Sequence, residues 1–417
     1  GLALLPASLL LADKYRAAID YPIAWDEHQA WQRAMFADWL VSYARVRNLA
    51  QPDLGEYVVD RSQVFKGDQA HYAYPAVISD SRRISVPYSG QWTSTGWYAL
   101  PGQRITLSRT DTADVSATIR LNYHRPNTNR AYEQKVYRAP LELASGRLPL
   151  NKGGSVSFTS PYGGPVYLYL EGGDGALQVE VTATGVTHHP AILDFSDEQQ
   201  IRDFNERLEQ TELPHVDLRA DGAEQHLRRD RFTGAIGGAI ADTDALLESI
   251  SRDHINSVYT LAGFKIQGKR LEESLPDEVR RACVALLGDQ CLDESLHTRT
   301  IIQHANYDQN AHCGVGCSGN PWDSSGSISP TGWLDNHELG HNLQTQRLNV
   351  HYAAASDADI LVLALLGDDL QRTLRLAHNL KLHTRMQIIV PHLSKSIVQQ
   401  IGPKVMAGVI GTEAWTW

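Results

Sequence analysis

Five consecutive residues, His337-Glu338-Leu339-Gly340-His341, bring together the side chains of metal-assisted hydrolysis at the spacing that chemistry requires. Two histidines four apart on a helix project from one face about a turn apart, so both imidazoles can reach one tetrahedral Zn²⁺ at roughly 2.0–2.1 Å. Glu338 lies between them, where it can take a proton from water attacking a carbonyl, while the metal lowers the water's pKa and polarises the carbonyl. His337 and His341 are thus the expected ligands, and Glu338 the expected general base, of a zinc peptidase. In a chain with 17 His the pattern needs helical context, because the competing reading is a surface helix with two unrelated histidines. Pro330 suits a first helical position after a Ser329 cap, Trp333, Leu334, Leu343 and Leu348 supply apolar positions, and no Gly or Pro follows Gly340 until Gly367.

A helix of this kind must be held by a substantial core, and 417 residues suffice for two or three domains. The 42% hydrophobic and 21% charged composition is that of a soluble globular protein. A net charge of −10 without a Lys/Arg block argues against nucleic acid and anionic membrane surfaces as partners. The apolar run Leu361–Leu366 is too short to span a bilayer, so no membrane span is expected. Gly1 to Ala12 is apolar like a signal core but lacks a basic leader and a clear cleavage site, and is expected to begin a buried helix. The four cysteines fall in two close pairs, which suggests the disulfides Cys283–Cys291 and Cys313–Cys317 in a secreted protein. Neither spacing is the usual one of a structural zinc module.

The patterning predicts a multidomain α+β protein in three parts. Residues 1–60 form an N-terminal helical segment, a cap or pro-region remnant, with Leu5, Leu9, Tyr15, Ile19, Trp31 and Phe36 at helix-like intervals. Residues 61–187 form a β-sandwich accessory domain, in which Val115–Tyr123, Val166–Leu170 and Leu177–Val181 alternate with period two between turns at Leu100–Gln103, Gly153–Gly154, Gly163–Pro165 and Gly172–Gly175. Its aromatics could bind carbohydrate, although core packing is favoured. Residues 188–417 form a mainly helical, zincin-type catalytic domain. There, His188-His189-Pro190 reads as a solvated linker, and Leu246, Leu247, Ile250, Ile255, Val258 and Leu261 read as one apolar helix face. Gly234–Gly238 fits no phosphate-loop pattern, and Asp368 with Arg372 reads as a solvent-facing ion pair.

Three stretches carry a family resemblance: Thr95–Gln103, Ser160–Tyr167, and Gly332–Gln344, in which Trp333 precedes the extended form His337-Glu338-Leu339-Gly340-His341-Asn342-Leu343-Gln344. Over roughly residues 60 to 350 the chain resembles the enhancin-like, mucin-directed zinc metallopeptidases. The resemblance implies a gluzincin-type domain behind a β-sandwich, Zn²⁺ as cofactor, and cleavage of O-glycosylated proteins (mucins and cell-surface glycoproteins) N-terminal to a glycosylated Ser or Thr. It makes His337 and His341 metal ligands and Glu338 the base, and it points to Trp322, Trp333, Tyr307 and Asn336 as substrate-binding residues.

The sequence departs from that pattern at the third ligand. The family supplies a downstream glutamate, whereas no Glu lies between Glu338 and Glu413. Asp357, Asp359 and Glu413 could substitute by type. Alternatively a segment is absent, since polar Ser356–Asp359 runs directly into apolar Ile360–Leu366 with no turn residue. Two other functions therefore stay open, a zinc protease indifferent to glycans and a glycan-binding adhesin whose peptidase site is inert.

Overall fold

The computed structural model describes residues 4–16, 18–20, 23–57, 75–87, 89–122, 135–137, 143–173, 175–210, 213–229, 243–298, 303–307, 312–314, 317–320, 336, 339–340, 358–363, 367–391 and 393–412. Helices α1 (Leu4–Arg16) and α2 (His28–Tyr43) open the chain. The first buries Leu9 and Ala12 while leaving Leu4, Leu10 and Leu11 exposed. Their inner faces, with Ala12, Trp31, Ala34 and Val41, share a core with Tyr137, Leu143 and Tyr162 from much later in the chain. Strand β1 (Ile23–Ala24) pairs with Val136–Tyr137, and buried Arg16 donates to the Pro161 carbonyl at 2.9 Å. These helices are therefore part of the structure that follows and not a detached cap.

Eight antiparallel strands come next: β2 (Ile78–Val86), β3 (Gln91–Ala99), β4 (Arg104–Arg109), β5 (Ser116–Leu121), then, after β6 (Val136–Tyr137), β7 (Leu148–Pro149), β8 (Ser155–Thr159), β9 (Gly164–Glu171) and β10 (Leu177–His188). β2, β10, β4 and β8 make one layer, and β7, β5, β9 and β3 make the other. Alternate residues such as Ile105, Leu107, Ile119, Leu121, Val166, Leu168, Val179 and Val181 meet in one core, as the period-two pattern requires. The two layers are joined by β10. Its first residues pair with β2 and β4, whereas Thr187 and His188 pair with Tyr98 and Trp97 of β3. The change of partner follows a bulge between Thr184 and Val186, where Gly185 has φ +76° and a Cβ would stand 2.3 Å from the Arg104 carbonyl oxygen. Only glycine fits there. The sandwich aromatics Trp92, Trp97, Tyr98, Tyr162 and Tyr167 are buried, so they pack the interior and offer no open platform to sugars.

Beyond β10 helical residues outnumber strand residues among the described ones, but the patterning missed a sheet. A six-stranded mixed sheet runs in the order β11 (Ala191–Ile192), β12 (His215–Ala220), β13 (Ala223–Arg228), β14 (Gln303–Tyr307), β16 (Cys317–Asn320), β15 (His312–Gly314). β12 and β13 escaped the pattern reading because both their faces are buried and their polar positions are His, Asp, Glu and Gln, which hide the alternation. Against this sheet pack α3 (Glu198–Gln210) and a long helix in three parts, α4 (Thr243–Ser249), a π-helical segment (Ile250–Asn256) and α5 (Ser257–Leu261). Leu247, Ile250, Ile255 and Val258 face the core, but Leu261 is exposed, since the wider i→i+5 turns move later residues around the axis.

Residues 358–412 build a different object. β17 (Ile360–Val362), β18 (Gln387–Val390) and β19 (Val409–Gly411) form a parallel three-stranded sheet, with α6 (Gly367–Asn379) and α7 (Lys395–Ile401) in the crossovers. Among the described residues, its core of Leu361, Leu363, Leu370, Leu374, Ile388, Val390 and Ile397 draws on none before residue 361.

Candidate active site

Of the motif region, Asn336, Leu339 and Gly340 are described, and all three are helical. Leu339 is buried in the core beneath the mixed sheet, among Leu247, Ile255 and Val258. A Cβ on Gly340 would lie 3.9 Å from Val258 Cγ1, in ordinary contact. One helical side is thus seated on the π-containing helix, and in sequence His337 and His341 each come one residue after Asn336 and Gly340. His337, Glu338 and His341 themselves lie outside the described residues, as do Trp322, Trp333, Asp357 and Glu413.

Asn336 is half-buried, and its Oδ1 sits 2.6 Å from Nδ1 of His254 in the π-helical segment. This contact turns the amide oxygen toward the protein interior. Burial pushes the pKa of His254 down, against the opposing effect of the Asn336 bond, so a neutral ring is favoured. Tyr307 ends β14, with its backbone in register with Asn320 of β16. Asp359 is exposed, and its carbonyl accepts from Gln387 N at the edge of the C-terminal sheet. Among the described residues no group of three His, Cys, Asp or Glu is arranged to hold a metal ion. Cys283 and Cys291 are disulfide-bonded. In the β15–β16 hairpin Gly314 is in register with Cys317, and Cys313 with Ser318; the expected Cys313–Cys317 bond concerns side chains outside the described set.

The mixed sheet is fastened to the sandwich by a buried polar seam that sequence reading did not find. Asp217 of β12, fully buried, accepts from Ser94 Oγ at 2.5 Å and Tyr167 OH at 3.0 Å, and its Oδ2 lies 2.8 Å from His189 Nε2. Glu224 of β13, equally buried, accepts from Ser94 N and Thr93 Oγ1 and lies 2.9 Å from His226 Nε2. Burial alone would raise the Asp217 carboxyl, but the adjacent His189 and His226 and the Ser94 bond hold it well below the carboxylate range. His188 and His189 are therefore not solvated linker residues. His189 belongs to this seam, and His188 bonds Asp80, which Trp97 Nε1, His188 and Arg82 hold low against its own desolvation.

Residues 1–46 match the model of the immunomodulating metalloprotease helical domain, and residues 83–184 match the N-terminal domain of M60-like peptidases. The immunomodulating metalloprotease of Pseudomonas aeruginosa is 32% identical over 352 residues, which cover 82% of this chain and 36% of the relative. A structure of IMPa from the same organism in complex with an O-glycopeptide superposes with a TM-score of 0.62 at 28% identity, over 80% of this chain and 37% of that one. IMPa in complex with T-antigen gives 0.60 at 26% identity, over 81% and 37%. The chain spans somewhat over a third of the length of these relatives.

Proposed function

We propose that the chain belongs with the M60-like peptidases, as its family-model matches and its similarity to the immunomodulating metalloprotease support, and that it carries the active site of an exported zinc endopeptidase acting on O-glycosylated proteins. The observation that carries this reading is the similarity over most of the chain to a metalloprotease whose structure holds an O-glycopeptide. The helical backbone at Asn336, Leu339 and Gly340, anchored by Leu339, supports the helical setting that a His337/His341 ligand pair needs. The Cys283–Cys291 bond suits an oxidising compartment.

His337 and His341 would hold the metal together with a third protein donor. When bound, zinc supplies Lewis-acid polarisation of the scissile carbonyl and makes water a competent nucleophile at neutral pH. Glu338 accepts the proton of the attacking water and returns it to the leaving amine, which needs a carboxylate ionised before the step and protonated midway through it. Cleavage on the amino side of a glycosylated Ser or Thr is the specificity we assign.

The test is digestion of native and enzymatically deglycosylated mucin side by side. Cleavage of native mucin alone is expected. Cleavage of both would replace this reading with a glycan-independent protease, and binding without cleavage would replace it with an adhesin. Glu338→Gln should lower turnover by at least about 10²-fold while zinc, measured by elemental analysis, stays bound.

A further inference from the structure

The hydrogen bond between His254 and Asn336 joins segments 82 residues apart, and it is made where the helix behind the motif departs from α geometry. π-helical turns are locally unfavourable and persist mainly where a side chain must be presented in a particular direction. Here the turn leaves Ile250 and Ile255 in the apolar core and also brings His254, 3% exposed, to the motif segment. An amide oxygen can only accept, so Nδ1 of His254 carries the proton and donates it. Leu339 and Gly340 pack on the same helix three and four residues later, and Leu339 shares its cluster with Val258. Among its described residues the segment thus has apolar contacts at Leu339 and Gly340, which tolerate rotation about its axis, and a directional polar contact at Asn336, which does not.

We infer that His254 is a positioning residue. Its bond to Asn336 fixes the rotation of the helical positions 336, 339 and 340, which interleave in sequence with His337, Glu338 and His341, and so tunes the affinity of the motif for its metal ion. This inference rests on the metallopeptidase reading above, and it gives Asn336 a role in holding the helix in place of the substrate contact expected from sequence. Partners that orient metal ligands commonly contribute one to two orders of magnitude to metal affinity.

The experiment measures zinc affinity of the 417-residue chain by competition with a chromogenic chelator, alongside melting of the metal-free protein. His254→Phe keeps the ring volume and removes the donor; it should bind zinc at least about tenfold more weakly. His254→Gln, which can still donate to the amide, should recover most of that loss. Asn336→Ala, at a half-buried position, should match His254→Phe, and the double variant should be no worse than either single one. Unchanged zinc affinity in both Phe and Ala variants would overturn the inference, as would a Gln variant no better than Phe. A parent chain that takes up no zinc would instead sink the metallopeptidase reading, and this inference with it.

Discussion

The seam between the sandwich and the mixed sheet and the core of the C-terminal unit are both buried, yet they are made of opposite materials. In the seam, Asp217, Glu224, His189, His226, Ser94 and Tyr167 are linked by hydrogen bonds across elements as far apart in sequence as Thr93 and Glu224. In the C-terminal unit, Leu370, Leu374, Ile388 and Val390 pack by shape alone, all drawn from about fifty residues. An apolar core forgives rearrangement, whereas a buried charge without its partner is costly, so a polar seam specifies one arrangement of its two sides. The difference indicates which parts of the chain are bound to act together and which part folds for itself.

The largest expected effect comes from removing a seam partner. Asp217→Ala leaves buried His189 and Tyr167 OH without their acceptor and should cost about 3–5 kcal/mol, seen as a lower urea midpoint for the transition that reports the sandwich and mixed sheet. A loss under about 1 kcal/mol, the range of surface substitutions, would mean that the seam contributes little. Next, Leu374→Ala in the C-terminal core should cost about 3 kcal/mol and move a separate melting transition, leaving the main one in place. A single transition that shifts as a whole would erase the contrast.

The mildest effect is that of acid. Because the folded-state pKa of Asp217 is depressed, its contribution is fully present above the unfolded value near about 3.9 and is lost as pH falls through the folded value. Asp111, held at about 2 by Arg109 and the backbone N–H groups of Glu180 and Ala113 against its own burial, follows the same sign. The main transition should therefore weaken below about pH 4, by at most about 1.4 kcal/mol per pH unit for each such group. Weakening that is complete by pH 5 would point to histidines instead.

What could be read from the sequence was what short-range periodicity carries. Ala117, Ile119 and Leu121 alternate because one side of β5 faces a core, and the extended motif is legible because its ligand spacing is a property of a single helical turn. What could not be read was non-local. His188 and His189 look solvated until Asp80 and Asp217 are known to stand beside them, and His254 looks like any helix histidine until Asn336 arrives 82 residues later. The parallel sheet of residues 358–412 was hidden for a different reason, since its strands are three or four residues long and too short to show a period.

One consequence of the glycine bulge in β10 concerns how this protein could be cut or recombined. Because Thr187 and His188 pair within the sandwich, and Ala191 and Ile192 already pair with β12, only two residues separate the two sheets. There is no slack for a hinge or for a graft. A fragment ending near residue 188 would lose the carboxylates that accept from Ser94 and Tyr167, and one beginning there would keep His189 and His226 beside Asp217 and Glu224 but lose the Ser94, Thr93 and Tyr167 donors. The accessory sandwich is therefore not a module that can be exchanged between peptidases by splicing at its apparent boundary; a recombinant that keeps its solubility must inherit both sides of the seam from one parent.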